Sequence, residues 1–142
     1  MKPIVPTAGF AIEWIALVRS SFESHQEPGQ GLNAAALLTV KTNTGTEDRP
    51  LAEPAKRFIC FVDVELELSA EERPLVVGSV RYAASFLWSP GDIPEDAARS
   101  TMAPAYLYSF CREHLADLGR RAGFNIWLPP TRLAQPLQPS VE

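Results

Sequence analysis

The sequence predicts an α+β fold in which a four-stranded antiparallel sheet, arranged as a meander, packs against one long C-terminal helix. Four strand-like segments follow one another along the first two thirds of the chain, with short connections between them. One segment with helical periodicity comes after them and ends at a glycine. The order of these elements, strands first and a helix last, is what predicts the fold class.

The length of the chain is that of one domain. A chain of 142 residues buries enough apolar surface to fold without a metal or a disulfide. We therefore predict a single domain over residues 1–142, with residues 1–8 and 134–142 as loosely ordered tails. Prolines in both tails argue against regular structure there.

The third and fourth strands are the clearest in the sequence. Phe58–Leu68 alternates between apolar and acidic residues from Val62 onward, which predicts one packed face and one solvated, acidic face. Leu75–Trp88 is the fourth strand, and Gly78 within it predicts a bulge or a close approach of another chain segment. A hairpin connection joins the two strands.

The first two strands are predicted at Phe10–Phe22 and Leu32–Thr42. The first carries apolar residues on both faces, which predicts that both faces are covered. The second begins with an alanine run that suits a helix equally well, and its later residues alternate as in a strand. The residues that follow, Asn43–Glu53, have the composition of a polar connection.

The helix is marked by apolar residues that recur every three or four positions from Leu107 to Ala122. Pro104 suits its first turn, and Gly123 supplies a left-handed cap at its end. Upstream, Pro94 with two acidic residues behind it predicts a single helical turn.

Composition excludes several classes of function. The net charge of −4 argues against nucleic acid as a partner, because phosphate binding requires a basic surface. We expect a cytoplasmic protein with no membrane insertion, since no signal peptide and no long apolar run is present. Cys60 and Cys111 both lie in apolar, patterned segments, so we expect reduced core residues.

No catalytic constellation is visible in the sequence. His25 and His114 have no ligand partners at metal-binding spacing, so we predict no metal site. The acidic stripe of Asp63, Glu65 and Glu67 has no apolar pocket to shift a pKa, so its acids have no predicted acid–base role. We therefore expect no enzyme activity and no cofactor.

The remaining feature of the sequence is a group of large apolar side chains. A set of large side chains clusters in the sequence around the sheet-to-helix crossover and the helix exit: Trp88, Ile93, Met102, Tyr106, Tyr108, Phe124, Trp127 and Leu128. Several of them must form the core beneath the helix. One helix covers only part of one sheet face, so a further buried surface is expected, either by self-association or as a groove for apolar polypeptide.

The order of elements and the amino-acid sequence of the helix resemble those of the SecB family of bacterial export chaperones over most of the chain. The first strand ends in Ser21–Ser24, similar to the Ser-Phe-Glu of the family. The strongest part is Leu107–Glu113, followed by Arg121, Phe124 and Leu128–Pro130. These fall where the family has an Arg-Glu helix, an arginine before a glycine turn, and a Leu-x-Pro exit.

The resemblance implies an ATP-independent chaperone (a holdase) that binds unfolded polypeptides in apolar grooves. It implies dimers that pair into a dimer-of-dimers tetramer, and a role in protein export or with a dedicated client such as an antitoxin. We expect clients to bind along the crossover and the helix exit, at Trp88, Ile93, Met102, Trp127, Leu128 and Leu133.

The resemblance also bears on contact with the SecA motor. Glu23 matches one acidic position of the family's motor contact, whereas Arg19 and Ser79 stand where further acidic residues are expected. This departure favours a narrower client over general export. Two alternatives stay open from the sequence: a non-chaperone module that binds one folded partner, and a carrier of a small apolar ligand between helix and sheet.

Overall fold

The computed structural model describes residues 9–25 and 37–128. They form four strands, a short helix, a π-helical turn and a long helix: β1 (Gly9–Ser24), β2 (Leu37–Arg49), β3 (Lys56–Ala70), β4 (Arg73–Ser89), α1 (Glu95–Ala97), the π turn (Ala98–Met102) and α2 (Ala103–Arg121). The predicted tails, 1–8 and 134–142, and the start of the predicted second strand, 32–36, lie outside the described residues. The single helical turn after Pro94 is confirmed.

The predicted fold class is confirmed: a four-stranded antiparallel sheet carries one C-terminal helix. The strand order is β1-β4-β3-β2, so β2, β3 and β4 form the meander and β1 lies beside β4. The β3–β4 turn is tight, with positive φ at Glu71 and Glu72, which forces those strands to be neighbours. β1 pairs with the last of these four strands and not with β2, the one that follows it.

β2 is longer than its composition predicts. Residues 43–49, which read as a polar connection, continue the strand and pair with β3 from Arg57 to Asp63. The partner residues on β3 are mostly apolar, from Phe58 to Val62, and pairing with this strong strand outweighs the local preference for a turn. Gly45 allows this pairing, because a Cβ atom there would lie 2.5 Å from Cε2 of Phe61.

The core lies between α2 and the face of β3 and β4 beneath it. The buried side chains on this face of the two strands include Phe58, Val62, Val64, Val76, Val80 and Phe86, and α2 adds Leu107, Cys111 and Leu115. Gly78 is the predicted point of close approach, because a Cβ atom there would lie 2.9 Å from the Phe22 ring. Cys60 and Cys111 are both buried and free, and burial raises the pKa of the Cys111 thiol to about 12.

The end of α2 is fixed by backbone hydrogen bonds. The N–H of Phe124 donates to the carbonyl of Gly119 at 2.8 Å, and the N–H of Gly123 donates to Arg120 at 3.1 Å. Gly123 has a φ of 89°, so the predicted left-handed cap is confirmed as a Schellman motif. The cap turns the chain back along the helix.

Asp63 corrects the prediction of a solvated acidic face. Its carboxylate accepts hydrogen bonds from Nε and Nη2 of Arg81 at 2.7 and 2.6 Å, and from Arg19 at 3.2 Å. The Asp63 side chain is only 9% exposed, whereas Glu65 and Glu67 are exposed as expected. Arg81 stands directly across from Asp63 in the β3–β4 register, a partner that the pattern of one strand does not reveal.

The two arginines make Asp63 a pH-sensitive source of stability. The hydrogen bonds from Arg81 lower the pKa of Asp63, against the opposing effect of burial, and the charges of Arg81 and Arg19 lower it further. A carboxylate with a lowered folded-state pKa stabilises the fold above its ordinary pKa, near about 3.9. That stability is lost as the pH falls through the folded-state value.

We predict that Asp63→Asn lowers the free energy of unfolding at pH 7 by about 1–3 kcal/mol, because two arginines lose a charged acceptor. Below about pH 4 the difference from the wild type should shrink, since Asp63 is protonated first in the unfolded chain and only at lower pH in the folded protein. Urea unfolding across this pH range measures both effects. Glu65→Gln removes an exposed acidic side chain on the same face of β3 and is the control. It should change the free energy of unfolding at pH 7 by less than about 0.5 kcal/mol.

Candidate functional site

The crossover from β4 to the helices is held by Trp88. Its indole Nε1 donates a hydrogen bond to the carbonyl of Ile93 at 2.7 Å. The Trp88 ring is half-buried and packs against the core, and Ile93 is half-buried as well. The structure therefore brings these two predicted site residues together, in an arrangement that fixes the path of the loop between them.

Arg99, in the π turn, ties the crossover to the end of β2. Its guanidinium lies 2.6 Å from the Asp48 carboxylate and 2.9 Å from that of Glu95. The same group stacks 4.6 Å from the centre of the Phe58 ring. Met102 is half-buried at the point where the π turn leads into α2. These contacts hold the crossover against the end of the sheet.

The exit segment, residues 124–128, runs back along α2 in an extended form. Ile126 is buried against Gly119, where a Cβ atom would lie 2.8 Å from its Cδ1 atom. The Arg112 guanidinium donates to the carbonyl of Leu128 at 2.9 Å and fixes the end of the segment. Side chains of an extended segment alternate in direction, so Trp127 points outward between two buried neighbours.

The two predicted site residues of this segment have opposite exposures. Trp127 is 67% exposed, whereas Leu128 is 2% exposed and belongs to the core cluster. Leu133, the last of the predicted client residues, lies outside the described residues. Trp127 is thus the predicted residue with the most accessible apolar surface at the exit, and Leu128 contributes to packing.

A groove of about 550 Å³ lies between α2 and the exit segment. Its lining includes Trp127, Asn125 and Ala116, with the charged side chains of Arg112, Glu113 and Asp117 at its walls. Arg120 and Arg121 both pair with Asp117, at 3.4 and 3.0 Å. The groove combines one large exposed aromatic ring with charges of both signs.

β1 carries exposed apolar side chains that the sequence did not single out. Ile12 and Leu17 are 37% and 45% exposed and stand opposite Phe86 and Tyr82, on the helix side of the sheet. Tyr106 of α2, 44% exposed, contacts the Phe86 ring edge-on at 6.3 Å. Apolar residues on both faces of the first predicted strand were the only signal for this surface.

The other face of β1 carries one large apolar side chain among polar and charged ones. Trp14 is 46% exposed and stands opposite Ser85, on the face away from the helix, and Val18 is 55% exposed. The β1–β4 register shifts beside each of the two, between Ile12 and Trp14 and between Leu17 and Arg19. Bulges of this kind twist and interrupt a strand edge.

Ser20 and His114 meet between β1 and α2. The Ser20 hydroxyl lies 2.8 Å from Nε2 of His114, and the imidazole packs edge-on against the Tyr82 ring at 6.1 Å. Within residues 9–25 and 37–128, no carboxylate is hydrogen-bonded to His114. The pair joins the first strand to the helix.

The sheet face away from the helix holds a shallow concavity of about 510 Å³. Its lining includes Arg19, Lys41, Glu65, Val77 and Ser79. Glu23, the predicted motor contact, is on the neighbouring part of β1 opposite Val77. Its carboxylate is exposed and lies 3.6 Å from Nε2 of His25. The charges of this face are mixed, because Arg19 and Lys41 lie among the acids.

Two features of the described residues bear on metal binding and on membrane spanning. No group of three or more His, Cys, Asp or Glu side chains within them has the geometry of a metal site. No helix in this part of the chain is both long and apolar enough to cross a membrane.

The fold is similar to that of a SecB-like chaperone of Mycobacterium tuberculosis, Rv1957, whose structure was solved in complex with a ChAD peptide from the Rv1956 HigA1 antitoxin. The TM-score is 0.57 and the sequence identity 21%, over 85% of this chain and 89% of that one. No protein-family model and no curated protein matches the sequence. The similarity shows that the two chains share a fold.

We predict that the neighbours Trp127 and Leu128 differ sharply in their contribution to stability. Leu128→Ala should lower the free energy of unfolding by about 2–5 kcal/mol, because it leaves a cavity in the core. Trp127→Ala should change it by less than about 0.5 kcal/mol, because the ring is mostly in solvent. Urea unfolding of both variants tests this, and a large loss for Trp127→Ala would contradict the exposed position of its ring.

Proposed function

We propose that this protein is a SecB-like chaperone that holds non-native polypeptides without nucleotide. The observation that carries the proposal is that large apolar side chains are exposed at two places, along β1 and at Trp127 of the exit segment. Non-native chains expose apolar side chains of the kind that such surfaces bury. The shared fold with a chaperone that binds an antitoxin peptide supports the same conclusion.

In this proposal the two apolar surfaces have different partners. The β1 surface, with Ile12, Leu17 and Tyr106, binds a second copy of the chain and leads to a dimer-of-dimers tetramer. Exposed apolar side chains that lie close together on one strand and the adjacent helix are typical of an interface that is covered in the assembled state. The Trp127 groove stays open for clients, because it mixes one aromatic ring with charged walls.

Within the client site, the predicted residues have different roles. Trp127 contacts the client directly, since its ring is exposed beside the groove. Trp88, Ile93 and Met102 are half-buried and shape the crossover, and none of the three lines the Trp127 groove. Leu128 supports the exit segment from the core and positions Trp127.

The charges on the outer sheet face favour a dedicated client over general export. Glu23 is the acidic residue through which contact with a SecA motor is proposed. Beside it, Arg19 pairs with Asp63 and still leaves 54% of its side chain exposed. This positive charge lies on the surface where the resemblance to the SecB family predicts acids, and it weakens attraction to a basic segment of a motor.

The chaperone activity is tested by suppression of aggregation. We predict that the purified protein, without nucleotide, prevents several unrelated unfolded proteins from aggregating at near-stoichiometric ratios. Trp127→Ala should weaken this holding several-fold, because an exposed aromatic ring is a typical hot spot for binding. Light scattering during client refolding measures the effect.

The matched control for this experiment is Trp14→Ala, which removes another exposed tryptophan on the face of β1 away from the helix. It should leave the holding activity unchanged while circular dichroism verifies that both variants are folded. Failure to hold any client would contradict the proposal and favour a module with one folded partner. Equal losses in both variants would contradict the assignment of the client site to Trp127.

The assembly is tested by charge insertion at each edge of the sheet. We predict that Leu17→Glu lowers the molar mass in solution, measured by multi-angle light scattering, because the charge lies in the proposed contact between copies. Leu37→Glu, at the other edge, should leave the mass of the tetramer unchanged although Leu37 is more exposed, at 67%. A tetramer that survives Leu17→Glu would place the interface elsewhere.

A further inference from the structure

The outer edge of β2 is long and regular. β2 lies at one end of the strand order, and its thirteen residues pair with β3 without a register shift. β1, at the other end, pairs with two shifts. Bulges are one way in which proteins prevent further strands from pairing with an edge, so β1 has this protection and β2 lacks it.

β2 therefore presents backbone groups in a regular row. In an antiparallel pair, every second residue turns its N–H and C=O away from the partner strand. No strand among residues 9–25 and 37–128 pairs with this side of β2. The strand contains no proline, so its backbone can donate along the whole edge.

The two faces of β2 differ in charge. On the helix side its residues are uncharged over most of the length: Leu38, Val40, Thr42, Thr44 and Thr46. α2 packs mainly on β3 and β4, which leaves room beside these small side chains. The other face carries Lys41, Glu47 and Arg49. The Glu47 carboxylate pairs with Arg49, so Lys41 is the charge on this face that a client can pair with.

We propose that β2 binds an extended client segment by strand addition along its outer edge. The added strand turns uncharged, preferably β-branched or other apolar, side chains to the helix side and charged side chains to the other. An acidic side chain of the added strand faces Lys41. The inference rests on the proposed chaperone function and specifies the conformation in which the client is held.

Strand addition suits a client that has no fixed structure. The main-chain hydrogen bonds of an added strand do not depend on sequence, and alternate side chains supply selectivity. β2 offers few large exposed apolar side chains on its helix side, so backbone bonding rather than apolar burial is what this edge provides. The Trp127 groove, with its single large ring, provides the complementary apolar contact.

The test is amide hydrogen exchange measured by NMR on the isotope-labelled full chain. The probe is a nine-residue peptide that alternates valine or threonine with glutamate or lysine. Adding it should slow exchange at every second amide of β2 at least tenfold, while the amides of β1 keep their rates. Three results would overturn strand addition: outward β2 amides already protected in the free protein, slowing without alternation, or slowing at β1 instead.

Reversal of the charge at Lys41 gives a second test of binding. Lys41 is exposed, so its substitution should leave the fold intact. Lys41→Glu should weaken binding of a peptide with glutamates on its charged face about twofold to fivefold, and strengthen binding of the lysine version by a similar factor. Identical affinities for both peptides would contradict the proposed orientation at β2.

The failure of this inference can be told apart from failure of the proposed function. A permanently unfolded protein, reduced and carboxymethylated, serves as a second probe of binding. If it binds and the β2 amides do not respond, strand addition is wrong and the chaperone function stands. If neither it nor the peptide binds, both proposals are wrong.

Discussion

A single helix on a four-stranded sheet is the constraint from which the other features of this structure follow. A helix with its side chains is about 10 Å across, and neighbouring strands are about 4.8 Å apart. One helix therefore covers about two strands. α2 lies on β3 and β4, and these carry most of the fully buried side chains. β1 and β2 are left partly uncovered, and two of the three proposed binding surfaces lie there.

The two uncovered strands, β1 and β2, differ in what their open edges offer to a partner. β1 has bulges and exposes large apolar side chains, Leu17 among them. Such a surface gains most from a permanent partner, because burial of apolar area is non-directional and strong. β2 is regular and largely polar, so a partner there gains mainly hydrogen bonds, whose net contribution in water is small. Release from such an edge is correspondingly easy.

The sequence predicted those features that depend on local pattern. Each of these features is encoded in a few neighbouring residues. They are the fold class, the cap at Gly123, the close approach at Gly78 and the burial of both cysteines. Their physical causes act locally: helical periodicity, a left-handed backbone, or a glycine that leaves room for a ring. These predictions are confirmed for that reason.

The sequence could not predict features that depend on a partner distant in the chain. Asp63 reads as one acid of a solvated stripe, because Arg81 and Arg19 reach it only through the pairing of β3 with β4 and of β4 with β1. Residues 43–49 read as a loop until β3 supplies a partner. The exposure of Trp127 beside buried Leu128 likewise follows from where the exit segment packs.

A holdase without nucleotide has to bind clients tightly enough to prevent aggregation and weakly enough to release them. An apolar contact spread over a large, continuous area would make release slow, because most differences in affinity appear in the dissociation rate. In the proposed chaperone, the task is divided between the Trp127 ring and a polar strand edge. Each of these contacts alone is weak, and their combination on one client segment gains strength from their linkage. Under the proposed strand addition, a client that folds withdraws its extended backbone from the β2 edge and keeps only the weak contact at Trp127, so that folding of the client itself promotes its release.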